Sequence, residues 1–206
     1  VEAAATANLA ALREELGRGR PPHLVGHSYG GLVVFEMARQ LEALGQPVAS
    51  LTLVDTAPPG NPAREHDLRD HEIQERFADA LQGALGVTLD VDFGALRSLS
   101  RSAFLASLHT AMVRAGKLPR ASSVMTMAGP LAAFAAACRS AYHPSTPYLG
   151  TIKLAIAAEL HTGVPTVQSD IDGAVAALRA FAPELGVVIM PGDHFTMLRA
   201  AQVHEL

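Results

Sequence analysis

One short stretch limits what this chain can fold into more than any other: His23-Leu24-Val25-Gly26-His27-Ser28-Tyr29-Gly30-Gly31-Leu32. An apolar run stops at Gly26, a serine sits with glycines two residues before and two residues after it, and apolar positions at helical spacing follow from Leu32 to Leu44. The pattern predicts strand, sharp turn and helix. A residue at such a turn adopts a strained backbone conformation, and flanking glycines let strand and helix approach closely. Ser28 is then pushed out at the end of its strand. The backbone after it opens a helix, where N–H groups and the positive dipole end favour developing negative charge.

The rest of the chain alternates between the two periodicities. Residues Val1 to Leu16 read as an amphipathic helix, stopped by Gly17 and Gly19. The helix after Ser28 stops at Gly45, with Pro47 close behind. Val48 to Val54 is an apolar, β-branched run that ends in Asp55 and then Pro58-Pro59, as a parallel strand buried on both faces would. Asp55 therefore falls on the sheet edge where Ser28 is presented, the edge at which open parallel sheets gather catalytic groups. Strand character resumes over Gly150 to Ala158. A helix follows from about Ser169 to Phe181, then a strand over Val187 to Met190. Last comes Pro191-Gly192-Asp193-His194-Phe195-Thr196-Met197-Leu198, a turn carrying a histidine and a short helix. This alternation predicts an α/β fold with a mostly parallel sheet, helices on both faces and right-handed crossovers. There is no initiator methionine and no signal-peptide pattern. A sheet beginning with its nucleophile strand would be unusual, so its earlier strands are expected to lie outside these residues.

Between Asn61 and Pro147 the strand pattern disappears. Asp67 to Leu85, Phe93 to Ala115, and Ala121 to Tyr142 broken at Gly129-Pro130 read as about three helices, with Leu131 to Cys138 as a buried one. The expected division is a core of 1–60 with 148–206 and a helical insertion over 61–147 that caps the site. Met112, Met125, Met127, Phe104 and Phe134 would either line an adaptable apolar chamber or pack the insertion's own core.

Three residues from three strand ends combine chemically. A serine hydroxyl is a weak nucleophile at neutral pH and needs a base, a task suited to His194. The base in turn needs a carboxylate to hold its tautomer, and Asp55 is placed for that role. Ser, Asp, His is also the chain order of the α/β-hydrolase triad. Glu159, after the Thr151 to Ala158 strand, is an alternative acid, and His161 an alternative base. Asp193 reads as a turn residue, His23 lies at the far end of its strand, and His27 is structural or pocket-lining. Cys138, alone in an Ala-rich helical pattern, reads as a small core residue.

Composition excludes other classes. Sixteen basic residues against twenty acidic ones, with no basic run, leave no footprint for nucleic acid. No apolar stretch reaches membrane-spanning length. The single cysteine rules out an internal disulfide and suits a reducing, cytoplasmic setting. The histidines lack paired ligand spacing, so no metal is expected.

Taken together, Gly26-His27-Ser28-Tyr29-Gly30-Gly31, Leu53-Val54-Asp55, the helical insertion, Ala141-Tyr142-His143-Pro144 with Tyr148 and Gly150, and Pro191 to Leu198 resemble the thioesterase domains that terminate nonribosomal peptide and polyketide synthases. The resemblance spans the whole chain. It implies an α/β-hydrolase fold with a helical lid, and an acid after the strand that follows the nucleophile helix, which favours Asp55 over Glu159. It implies acyl transfer to Ser28 from the phosphopantetheine thioester of an upstream acyl or peptidyl carrier domain, followed by hydrolysis or macrocyclisation. The Tyr29 N–H is the oxyanion donor that can be named here, and no bound cofactor is implied. A stand-alone editing thioesterase, a small-ester esterase and a non-catalytic hydrolase-fold binding module are the alternatives.

Overall fold

Four strands, His23–His27 (β1), Ser50–Val54 (β2), Ile152–Ala157 (β3) and Leu185–Met190 (β4), lie side by side in chain order and all run parallel. They come from a computed structural model of the chain that describes residues 1–17, 19–60, 68–96, 98–160 and 165–199. Two compact units result, one of 1–62 with 141–206 and one of 63–140. In the first, helices Glu2–Ala11 (α1), Arg13–Leu16 (α2), Tyr29–Ala43 (α3) and Gln168–Arg179 (α8) accompany the sheet.

Parallel register puts Leu24, Leu51, Leu53, Ile152, Leu154 and Ile156 on one face. There they share a core with Ala5 of α1, Leu32, Phe35 and Leu41 of α3, and Ile171 and Leu178 of α8. Consecutive parallel strands joined by right-handed crossovers bring α3 and α8 to the same side. On the opposite face Val54, Ala155, Ala157, Met190 and Met197 form a smaller cluster near the strand ends, while Val25 is 64% exposed. The amphipathic N-terminal stretch is two helices rather than one, interrupted at Leu12. Helix α3 begins at Tyr29, three residues before its first strongly apolar position.

A buried polar knot ties α3 to the segment after 140. Glu36, 5% exposed, accepts from Tyr142 Oη at 2.5 Å, Arg39 Nη1 at 2.5 Å and Gln40 Nε2 at 3.0 Å. Arg39 continues to Thr146 O at 2.8 Å and Thr146 Oγ1 at 2.7 Å. Burial pushes the Glu36 carboxyl up, but these donors outweigh it and hold the group below its ordinary value. Nearby, the Gly60 N–H donates to Tyr142 O at 2.9 Å.

The second unit is helical. It holds Asp70–Leu85 (α4), Phe93–Leu96 (α5), Arg101–Arg114 (α6) and Ala128–Cys138 (α7), with a 3₁₀ turn over Val124–Met127 between α6 and α7. Glu72 closes α4 back onto the Arg69 N–H at 2.8 Å, and Gly86 ends it in the left-handed conformation at φ 61°. Ser100 caps α6 by accepting from Ala103 N–H. Phe77, Phe104, Leu105, Leu108, Met112, Met127 and Leu131 share the core of this unit.

Two sequence expectations fail here. Gly129-Pro130 does not break the helix but lies in the first turn of α7, where proline's missing N–H and fixed φ cost nothing. Nor is Leu131 to Cys138 buried: Leu131 is, while Ala132, Ala133 and Ala136 are exposed, because alanine favours a helix by propensity without needing a core to cover it. A third correction concerns the other unit, where Asp193 to Arg199 form turns rather than a helix.

Candidate active site

Among the described residues, Ser28 and Asp55 are the non-glycine positions with positive φ, at 56° and 43°. Backbone strain of this kind costs on the order of 1–3 kcal/mol per residue and persists only where the surroundings impose it. Here the imposing contacts are visible. The Ser28 N–H donates to Val54 O at 2.8 Å, and the Asp55 N–H donates to Ala155 O at 2.7 Å, so the last carbonyl of β2 and a carbonyl within β3 hold the two turns. Ser28, at φ 56° and ψ −125°, leads directly into α3 at Tyr29.

The tightness of the turn depends on glycines, though not on the pair the motif suggests. A Cβ on Gly26 would stand 2.4 Å from Gly30 O and 2.6 Å from Val34 Cγ2, so strand and helix pack backbone against backbone there. A Cβ on Gly30 would meet nothing within 4 Å, so close packing does not require that glycine. The second crowded position is Gly31, where a Cβ would fall 1.9 Å from Thr56 Oγ1 and 2.8 Å from Thr56 Cβ. Thr56 is 6% exposed and follows Asp55 directly, so Gly31 sets how closely α3 approaches the Asp55 turn. Sequence reasoning passed over Gly31, whose only signal was a second consecutive glycine.

The carboxylate and the imidazole meet across 139 residues of chain. His194 Nδ1 donates to Asp55 Oδ2 at 2.6 Å, and the Ala157 N–H donates to Asp55 Oδ1 at 3.1 Å, so each carboxylate oxygen has a donor. Burial pushes the Asp55 carboxyl up. The His194 hydrogen bond, the Ala157 amide and the nearby imidazole charges together bring it below the ordinary carboxylate value. Asp193 Oδ1 accepts from the Phe195 and Thr196 N–H groups, both at 2.9 Å, and from Thr196 Oγ1 at 2.8 Å, which shapes the turn that presents His194. His27 Nε2 lies 2.9 Å from His194 O, and the two rings stack with centroids 4.4 Å apart. Among the described residues the hydrogen bonds of His194 run to Asp55 and His27, and none reaches Ser28 Oγ.

The other candidates fall elsewhere. Glu159 is exposed beyond β3, and its N–H donates to Gly192 O at 3.1 Å. His161 lies outside the described residues. His23 pairs with Ser50 Oγ at 2.8 Å at the opposite end of the sheet. Met112 and Met127 are 4% and 5% exposed in the helical unit's own core, and Phe134 packs on Phe77 with centroids 5.4 Å apart. Met112 and Met127 thus sit in the helical unit's core, with Phe134 partly buried against it. Met125 is 67% exposed and Phe104 fully buried. No group of three or more ligating side chains among the described residues could hold a metal ion, and no described helix is long and apolar enough to cross a membrane.

The sequence matches the family described as "Thioesterase domain" over residues 1–206. The chain belongs to the thioesterase-domain family. Solved structures of similar fold include holo-AB3403, a four-domain nonribosomal peptide synthetase bound to AMP and glycine, at 24% identity and a TM-score of 0.81. The match covers 97% of this chain and 15% of the synthetase. The Vlm2 thioesterase domain matches at 21% identity and a TM-score of 0.58, over 89% of this thioesterase chain and 65% of Vlm2. The type II thioesterase BorB, from the borrelidin biosynthetic cluster, matches at 18% identity and a TM-score of 0.54, over 94% of this chain and 62% of BorB. At these identities the likeness establishes the α/β-hydrolase fold that the thioesterase shares with them. No curated protein matches the sequence.

Proposed function

We propose that this thioesterase releases an acyl or peptidyl chain from the phosphopantetheine thioester of an upstream carrier domain through an acyl-Ser28 intermediate. The observation that carries the reading is the 2.6 Å contact between His194 Nδ1 and Asp55 Oδ2, at the strand ends beside the strained Ser28 turn. With its Nδ1 proton on Asp55, the imidazole has Nε2 available as a base.

The chemistry then runs in two transfers. Ser28 Oγ gives its proton to His194 Nε2 and bonds to the thioester carbonyl carbon. The carbonyl oxygen becomes an oxyanion facing the Tyr29 N–H at the start of α3. Collapse breaks the C–S bond, and the imidazolium returns its proton to the leaving thiolate. In the second transfer His194 takes a proton from water, giving a free acid, or from a hydroxyl or amine of the chain itself, giving a macrocycle. The C–Oγ bond breaks and Ser28 recovers its proton. In an unliganded enzyme the serine-to-imidazole hydrogen bond is commonly long and tightens with substrate, which agrees with its absence from the contacts of His194. The family and the likeness to a multidomain synthetase support delivery by a carrier.

Intact-protein mass after exposure to a simple acyl thioester tests this directly. The wild type should gain one acyl mass and Ser28→Ala none, with turnover falling by about three orders of magnitude or more in the variant. An adduct that survives the substitution would overturn the assignment of Ser28. The released product, linear or cyclic, identifies the second nucleophile.

A further inference from the structure

His27 occupies the position between Gly26 and the nucleophile, yet its ring turns to the histidine loop rather than to open space. Its Nε2 lies 2.9 Å from the main-chain oxygen of His194, which can only accept, so Nε2 carries the proton and donates. The same ring stacks on the His194 imidazole, centroids 4.4 Å apart and tilted by 33°. Phe195 closes another side of His194 edge-on, with centroids 5.0 Å apart. His194 is therefore held at four points: Asp55 at Nδ1, His27 at its backbone oxygen, and a ring on each of two sides.

We propose that His27 is a positioning residue for the base of this thioesterase: its Nε2–H clamps the His194 main chain while its ring packs against the His194 ring. The clamp fixes the imidazole plane, so that Nδ1 stays on Asp55 and Nε2 is left for the nucleophile. This rests on the reading of His194 as general base. The Nε2–H donor is present in either protonation state of His27, and its surroundings favour the neutral ring, which sets no charge against a protonated His194. Burial and the neighbouring His194 charge lower its proton affinity, against the hydrogen bond to His194 O and the Asp55 charge; His194 and Asp55 are the charged groups acting on the ring. Because His27 and Ser28 are consecutive, one turn sets both the nucleophile and the support of its base.

The clamp separates from a plain packing role by comparing His27→Ala, which loses donor and ring, with His27→Gln, which keeps an N–H donor at similar reach. Each protein is assayed with a simple acyl thioester, and rates are normalised to the fraction that a serine-directed fluorophosphonate labels at end point. In His27→Ala, kcat should fall about tenfold with KM little changed, as a slightly misplaced catalytic group does. His27→Gln should recover most of that loss.

The proposal is overturned if normalised kcat of His27→Ala stays within about twofold of wild type, or if His27→Gln falls as far as the alanine variant. A wild type that resists the fluorophosphonate while remaining folded sinks the general-base reading and the clamp with it. A wild type that labels, beside an indifferent His27→Ala, sinks the clamp alone.

Discussion

The two compact units of this protein are specified in different ways. At the strand ends of the first, single atoms decide the structure: a Cβ at Gly26 would overlap backbone, and one at Gly31 would overlap Thr56. In the helical unit, Phe77, Phe104, Leu108, Met112 and Met127 fill a common core in which side chains of similar volume could replace one another. The first arrangement tolerates almost no substitution but positions groups to fractions of an ångström. The second tolerates much and positions less. Chemistry needs the first kind of specification, whereas burying an insertion needs only the second.

The sharpest way to break that contrast is Gly31→Ala. Its Cβ would lie 1.9 Å from a buried threonine, so either α3 or the Asp55 turn must shift. We expect a loss of about 3 kcal/mol, at the upper end of overpacking costs, with fluorophosphonate labelling lost as well. Adding Thr56→Gly should restore part of both. Normal melting and labelling in the single variant would mean that the turn is as forgiving as the helical core.

Phe104→Ala in the helical unit should cost a comparable 3–5 kcal/mol, as roughly expected for a large ring removed from a closed core, because Phe104 is fully buried. Here the loss is graded, so Phe104→Leu should cost much less, which no substitution at Gly31 should match. Met125→Ala, at a 67% exposed position in the same unit, should stay within about 0.5 kcal/mol. Chemical denaturation of the three variants measures the series.

The smallest effect is in acid. His27, Asp55 and Glu36 all have proton affinities lowered by folding, and all lie in the first unit. For each, the unfolded chain binds the proton first as pH falls, so stability declines with falling pH and the contribution is gone below the folded value. The His27 contribution begins to fade below its ordinary value of 6.5, and those of Glu36 and Asp55 below 4.5 and 3.8. Glu72 in the helical unit is also lowered, chiefly by the Arg69 N–H, but it is exposed and adds little. Hydrogen exchange at decreasing pH should therefore lose protection in α3 and β2 before α4 and α6. A simultaneous loss would mean that the units unfold together.

Much of the scaffold was legible because its signals are local. The alternation of strand and helix, the Ser28 turn and the stop at Asp55 all depend on spacing and on what glycine and proline permit within a few residues. Errors arose where a local signal was ambiguous. Gly129-Pro130 reads as a break or as a first turn, depending on which side the helix lies, and an alanine run reads as buried or exposed alike.

The sequence by itself determined that a serine would stand on a strained turn between strand and helix, with a carboxylate and a histidine after later strands. Which carboxylate meets the histidine was decided by tertiary structure, since Asp55 and His194 are 139 positions apart and touch only because β2, β3 and β4 adopt one register. The partnership of His27 with His194 spans 167 positions and left no trace in local pattern. The same holds for Gly31 against Thr56, whereas for Met112 and Met127 the local pattern offered core packing as one of two readings. Local patterns encode backbone conformation, which neighbours in sequence control, whereas a contact between distant side chains exists only after the whole sheet has set their distance.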